Sequence, residues 1–149
     1  MDLIGLADGE NSVVIRVLGR HMQGVLPWHD SLDAEVVIAS GFAGGRLSMC
    51  LAREDLDSWA HALDALAAGR DVGWMDDGRN PEVRIEVRGQ RGVPVVTVED
   101  TPASGTLASV PVRVTAGWVD EQRDRLRQVR ENWPSEVIET APNAYEWRR

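Results

Sequence analysis

Lysine is missing from this chain: all 16 basic side chains are arginine. That absence excludes Schiff-base chemistry, a lysine general base and the lysine of a phosphate-binding loop. Cys50 is the only cysteine, so no disulfide can form within the chain, and a reducing compartment is expected. No apolar run approaches the roughly 18–20 residues that a membrane-crossing helix needs. The opening stretch, MDLIGLADGENS, is acidic and has neither the basic nor the apolar part of a secretory leader. The expected location is therefore cytoplasmic. Phenylalanine and tyrosine occur once each, against six tryptophans.

Motifs are scarce too. The chain has no G-x-S-x-G, H-E-x-x-H or G-x-G-x-x-G, and no 12-residue calcium loop with its closing glutamate. The expectation is a protein that is not an enzyme and that carries no metal and no cofactor. A formal net charge of −8 opposes nucleic-acid binding, which needs a basic surface, and favours encounter with a basic protein.

The rest of the chain is organised around Ser40–Gly69. Leu56, Trp59, Ala60, Leu63, Leu66 and Ala67 recur at three- and four-residue steps and lie on one stripe of a helix. Asp57, His61 and Asp64 take the opposite side. Gly69 suits the left-handed residue after the helix end. Ala52 and Arg53 supply no short oxygen acceptor, so the helix start reads as poorly capped. Ahead of it, Leu47, Met49 and Leu51 alternate with Ser48 and Cys50, the period of a half-buried strand. Gly41, Gly44 and Gly45 form the preceding turn, with Phe42 expected to pin it to the core. Those glycines lead into a strand rather than a helix, so they do not read as a phosphate cradle.

Around this centre, Leu3–Leu6 and Val13–Leu18 read as strands joined by Asp8-Gly9-Glu10-Asn11. Residues 19–33 read as a loop, and Ala34–Ser40 as a central strand. Asp71–Met75, Glu82–Arg88, Val93–Glu99 and Leu107–Val114 read as an antiparallel meander. Pro94 and Pro111 belong at strand starts, bulges or an edge, because neither has an N–H for a ladder. Trp118–Trp133 reads as a second helix with Val119, Leu126, Val129 and Trp133 on its stripe. Its arginines mix with carboxylates, as on a solvated, ion-paired face. No internal repeat is evident. The predicted fold is α+β: antiparallel meanders of about seven or eight strands with two packed helices, roughly 53–68 and 118–133. One domain spans 1–149, with 135–149 docking back as a tail.

Among candidate contact residues, Trp28 and Trp147 lie outside the periodic segments, and tryptophan is favoured at binding hot spots. The set expected to meet a partner is Trp28, His29, Asp30, Asp76, Asp77 and Trp147. His21, His29 and Asp30 share a loop and offer an alternative, a small-molecule or catalytic pocket. A third reading is a regulatory subunit that self-associates through an edge strand.

G-F-x-G (Gly41, Phe42, Gly44), E-D-L-x-x-W-x-x-x-L-x-x-L-x-x-G (Glu54 to Gly69) and Y-E-W (Tyr145 to Trp147) resemble a family of small domains of unknown function from Streptomyces-type actinobacteria. The strand–helix core also resembles small acidic immunity proteins of bacterial polymorphic toxin systems. The net charge and the loop tryptophan Trp28 motivate the leading expectation, a non-enzymatic, immunity-like protein-binding domain that presents an acidic surface to a basic partner.

Overall fold

The computed structural model describes residues 1–148. Four strands, β1 (Asp2–Ala7), β2 (Ser12–Arg20), β3 (Leu32–Ala39) and β4 (Gly44–Leu51), form one antiparallel sheet in chain order. Helix α1 (Arg53–Ala67) follows. A second antiparallel meander, β5 (Val72–Trp74), β6 (Glu82–Glu86), β7 (Val95–Glu99) and β8 (Leu107–Pro111), leads to α2 (Trp118–Asn132). The hairpin β9 (Val137–Ala141) and β10 (Ala144–Trp147) ends the described chain. The α+β class is as predicted. The described residues hold ten strands rather than seven or eight, and the tail hairpin supplies two of them.

The period-two pattern decides which face of each sheet is buried. Val13, Ile15 and Val17 of β2, Ala34 and Val36 of β3, and Met49 and Leu51 of β4 point one way. Val83 and Ile85, Val96 and Val98, and Val110 do the same in the second sheet. All of them join the helix stripes Leu56, Trp59, Leu63, Leu66 and Leu126, Val129 in one core.

The chain folds as the same unit twice, four strands and then a helix, although no repeat was expected. Each helix packs on the first strand of the other unit: α2 on β1, α1 on β5, with α1 and α2 in contact. The duplication is carried by few residues. Asp8-Gly9-Glu10-Asn11 and Asp77-Gly78-Arg79-Asn80 are the same D-G-x-N turn at the same place in each unit. In both, an aspartate Oδ1 accepts from the backbone N–H groups two and three residues on, at 2.8 to 3.0 Å. Each asparagine side chain then reaches the last strand of the opposite sheet. Asn11 Nδ2 donates to Pro111 O (2.9 Å), and Asn80 Oδ1 accepts from Cys50 N–H (2.8 Å).

Three further expectations are corrected. Phe42 does not pin its turn: it is 99% exposed. Instead the Ser40 hydroxyl holds the turn, accepting from Phe42 N–H and Ala43 N–H. The start of α1 is not bare, because Asp55 reaches back to accept Ala52 N–H at 2.7 Å. Residues 19–33 are not all loop, since β2 runs to Arg20, β3 begins at Leu32, and a 3-10 turn covers Pro27–Asp30. At the other end of α1, Gly69 has φ +76°, and Arg70 N–H donates to Ala65 O (3.0 Å), the expected left-handed stop.

Candidate functional site

The contacts run in an open ring: β4, β3, β2, β1, α2, α1, β5, β6, β7, β8. No pairing joins β8 back to β4. Between the starts of those two strands lies a cleft of about 260 Å³, lined by Val36, Ile38, Leu47, Val98 and Leu107, with Asp100 on its wall. Its origin is a missing side chain. Gly45 pairs with Ile38 and takes the inward parity of Leu47 and Met49, where a larger residue would fill the space. A Cβ added there would meet no atom within 4 Å. Opposite, the inward position on β8 is the small Ala108, which pairs with Val98.

The two free edges differ. Cys50 N–H points away from β3, to Asn80, and the β3–β4 register has no bulge. By alternation, the N–H and C=O groups of Ser48 and Arg46 also point away from β3. Among the described residues they have no hydrogen-bond partner on that side. β8 ends in Pro111, which has no N–H to offer, so its edge is blunted as expected for a strand proline. The open edge of β4 is thus the one suited to an added strand. Phe42 stands at the tip of the β3–β4 turn, beside cleft residues Ala43 and Gly44. Leu107 on the far rim is about half exposed. At the wall, hydrogen bonds from Ser104 N–H and its hydroxyl hold the Asp100 carboxyl below the ordinary carboxylate range, so it stays ionised at neutral pH.

The residues singled out in the sequence lie elsewhere, in two groups. Trp28, His29 and Asp30 form the 3-10 turn between β2 and β3, at the end of the sheet opposite the Phe42 turn. Trp28 is 59% exposed and meets the His29 ring edge-on. Asp30 is 4% exposed and is engaged inside the chain. It accepts from Glu136 N–H and Val137 N–H at 3.0 to 3.1 Å and pairs with Arg20 at 3.3 Å, which anchors the tail hairpin. Trp147 is half-buried, and its Nε1–H donates to Glu136 Oε2 (2.9 Å). Asp76 and Asp77 sit on the β5–β6 turn, Asp77 as its capping residue.

The alternative pocket resolves into a shallow hollow lined by Trp28, Asp30, Arg53, Glu54 and Val137, without His21 or His29 on its walls. His29 turns inward to accept Leu26 N–H, and His21 turns to the outer face of the first sheet. Three of the four α2 arginines are ion-paired as expected: Arg123 with Asp64 and Asp120, Arg127 with Glu131, and Arg130 with Asp57. Sequence reasoning missed the cleft. The signal was the Gly44-Gly45 pair at the start of an alternating strand, which marks a place where backbone comes within reach.

Over residues 1–134 the chain matches, and so belongs to, a family of unknown function, DUF5959. The matched part contains both strand–helix units; the β9–β10 hairpin lies beyond it. No curated protein and no solved structure matches the chain.

Proposed function

We propose that this protein is a non-enzymatic, cytoplasmic binding module, and that its partner is a basic protein presenting an extended apolar segment. The observation that carries this reading is Phe42, a fully exposed aromatic beside an apolar cleft and an unpaired strand edge. A segment laid along β4 gains main-chain hydrogen bonds from Arg46 and Ser48, while its alternate side chains enter the cleft left by Gly45. The net charge of −8 and the ionised Asp100 favour lysine- or arginine-rich flanks on that segment. Inhibition of a basic enzyme, as the immunity resemblance implies, is the narrower form of this role. Trp28 and Asp76 lie outside the cleft and would meet only a partner large enough to reach past it.

The test is selection from a displayed peptide library on the intact protein, beside Phe42→Asp and Gly45→Leu. Sequences that alternate apolar residues among basic ones should be retained, lost from both variants, and weakened at high salt. Retention equal on all three proteins, or of peptides without basic residues, overturns the reading. The open edge of β4 also suits a second copy of the chain. A dimer in sedimentation equilibrium that Gly45→Leu abolishes would establish that reading instead.

A further inference from the structure

On the outer face of the first sheet, away from the cleft, His21, Asp33 and Cys50 converge. They come from the end of β2, from β3 and from β4, and their ligand-type atoms all lie within 4.8 Å of one another. We propose that these three side chains form a binding site for a zinc-class divalent cation, with a fourth position open to solvent. The inference is independent of the binding role proposed above.

Strand register builds the cluster. Asp33 and Cys50 are direct cross-strand partners, and both face outward because their neighbours Leu32, Ala34, Met49 and Leu51 face the core. His21 reaches the same face through a bulge. The β2–β3 register slips between Val17 and Gly19, so that Gly19 opposes Asp33. That slip reverses the parity of the end of β2 and carries Gly19 and His21 to the outer side, where Leu18 would otherwise stand. Bulges re-aim side chains in this way beside functional sites. His21 N–H donates to Ser31 O (2.9 Å), which extends the ladder far enough to fix the histidine backbone. A Cβ on Gly19, next in the row, would meet nothing within 4 Å, so the space beside Asp33 is open to an incoming ion.

The donor set matches the chemistry. Imidazole nitrogen, thiolate sulfur and carboxylate oxygen together suit zinc, whereas magnesium and calcium take oxygen alone. Tetrahedral bonds of roughly 2.0–2.3 Å place ligands about 3.3–3.8 Å apart. His21 Nδ1 and Asp33 Oδ1 now stand 2.7 Å apart, so a shift of about 1 Å in these exposed side chains opens the pair to an ion. Burial, and then the Asp33 charge, push the Cys50 thiol above its ordinary value. The free sulfur therefore keeps its proton, and the metal displaces it on binding. Three protein ligands and one open position is the arrangement of reactive rather than purely structural zinc sites.

The experiment is titration of the intact, reduced protein with Co²⁺, followed by absorption. Expected are saturation at one ion per chain, visible bands of four-coordinate cobalt and a near-ultraviolet thiolate-to-cobalt band, all erased by Zn²⁺. Cys50→Ser should remove the thiolate band, and His21→Ala or Asp33→Ala should weaken binding at least tenfold. Their melting curves without metal should match the parent, since all three positions face outward. Absence of saturable binding, or equal binding by the parent and Cys50→Ser, overturns the proposal.

Discussion

The two strand–helix units solve one packing problem with different chemistry. In each, the helix stripe recurs at the same spacing: Leu56, Trp59, Leu63 and Leu66 in α1, and Val119, Gln122, Leu126 and Val129 in α2. The second position of each stripe faces the first strand of the other unit. From α1 it is Trp59, fully buried and packed on Trp74 of β5, with ring centres 5.2 Å apart. From α2 it is Gln122, also fully buried, which treats β1 as a strand would. Its Oε1 accepts Gly5 N–H (2.9 Å) and its Nε2 donates to Gly5 O (3.1 Å). Ring packing closes the α1–β5 junction, and the hydrogen bonds beside it come from a side chain, Trp74 Nε1–H donating to Asp55 O (2.9 Å) and Ser58 Oγ (3.1 Å). At the α2–β1 junction the bonds go to the strand's own main chain. Each junction conceals an edge strand that would otherwise be open to pairing. The two free edges are left at β4 and β8, around the cleft.

Four measurements would break or sharpen that comparison. Trp59→Ala should have the largest effect, a loss of about 3–5 kcal/mol from the cavity it opens, read as a fall on the order of 10 °C in melting temperature. Gln122→Leu comes next. Although similar in size, leucine strips both Gly5 main-chain groups of their partners at a half-buried position, for about 2 kcal/mol in denaturant titration and faster hydrogen exchange at Gly5. A neutral result would mean that the α2–β1 junction rests on packing and not on its bonds to Gly5. Trp59→Phe separates the two chemistries further. Among the described residues Trp59 Nε1 is buried without a hydrogen-bond partner, so replacing the indole removes an unpaired donor. The change should stay within about 1 kcal/mol, below that of Gln122→Leu.

The smallest effect belongs to the paired turns. For Asp8, hydrogen bonds from Arg113 N–H, then Asn11 and Glu10, lower the carboxyl below its ordinary 3.8. For Asp77, partial burial pushes upward, but the N–H of Arg79 and the bonds of Asn80 together outweigh it and the net shift is again downward. A lowered folded-state value means stability that is present above 3.8 and lost as pH falls through the folded value. Urea midpoints taken through that acid range should fall less steeply in Asp8→Asn and Asp77→Asn than in the parent. Equal slopes would show that the two turns do not contribute to acid sensitivity.

Much of the fold was legible. Strand alternation and the helix stripes predicted both helices and the eight strands of the two four-stranded sheets to within a few residues, because each buries one face and writes its period into the sequence. The tail hairpin and the 3-10 turn carry no such period. The duplication was harder to see. Outside the D-G-x-N turns the two units share a pattern of burial rather than residues, and Gln122, as a polar side chain on an apolar stripe, looks like an interruption. Only its contact with Gly5 reveals it as the counterpart of Trp59. The candidate site was the least legible part. Their place outside the periodic segments drew attention to Trp28 and Trp147, whereas the exposed aromatic at the cleft is Phe42, which the sequence reading expected to pin its turn to the core.

By itself, then, the sequence determined the local elements, the acidic balance and the lack of a lysine or disulfide chemistry, since each depends on residue type and near spacing. The tertiary structure decided which edges were covered and which stayed open. It also decided that Asp30 would hold a tail and that His21, Asp33 and Cys50 would meet. Those outcomes depend on strand register and a single bulge, where a slip of one residue moves a side chain to the other face.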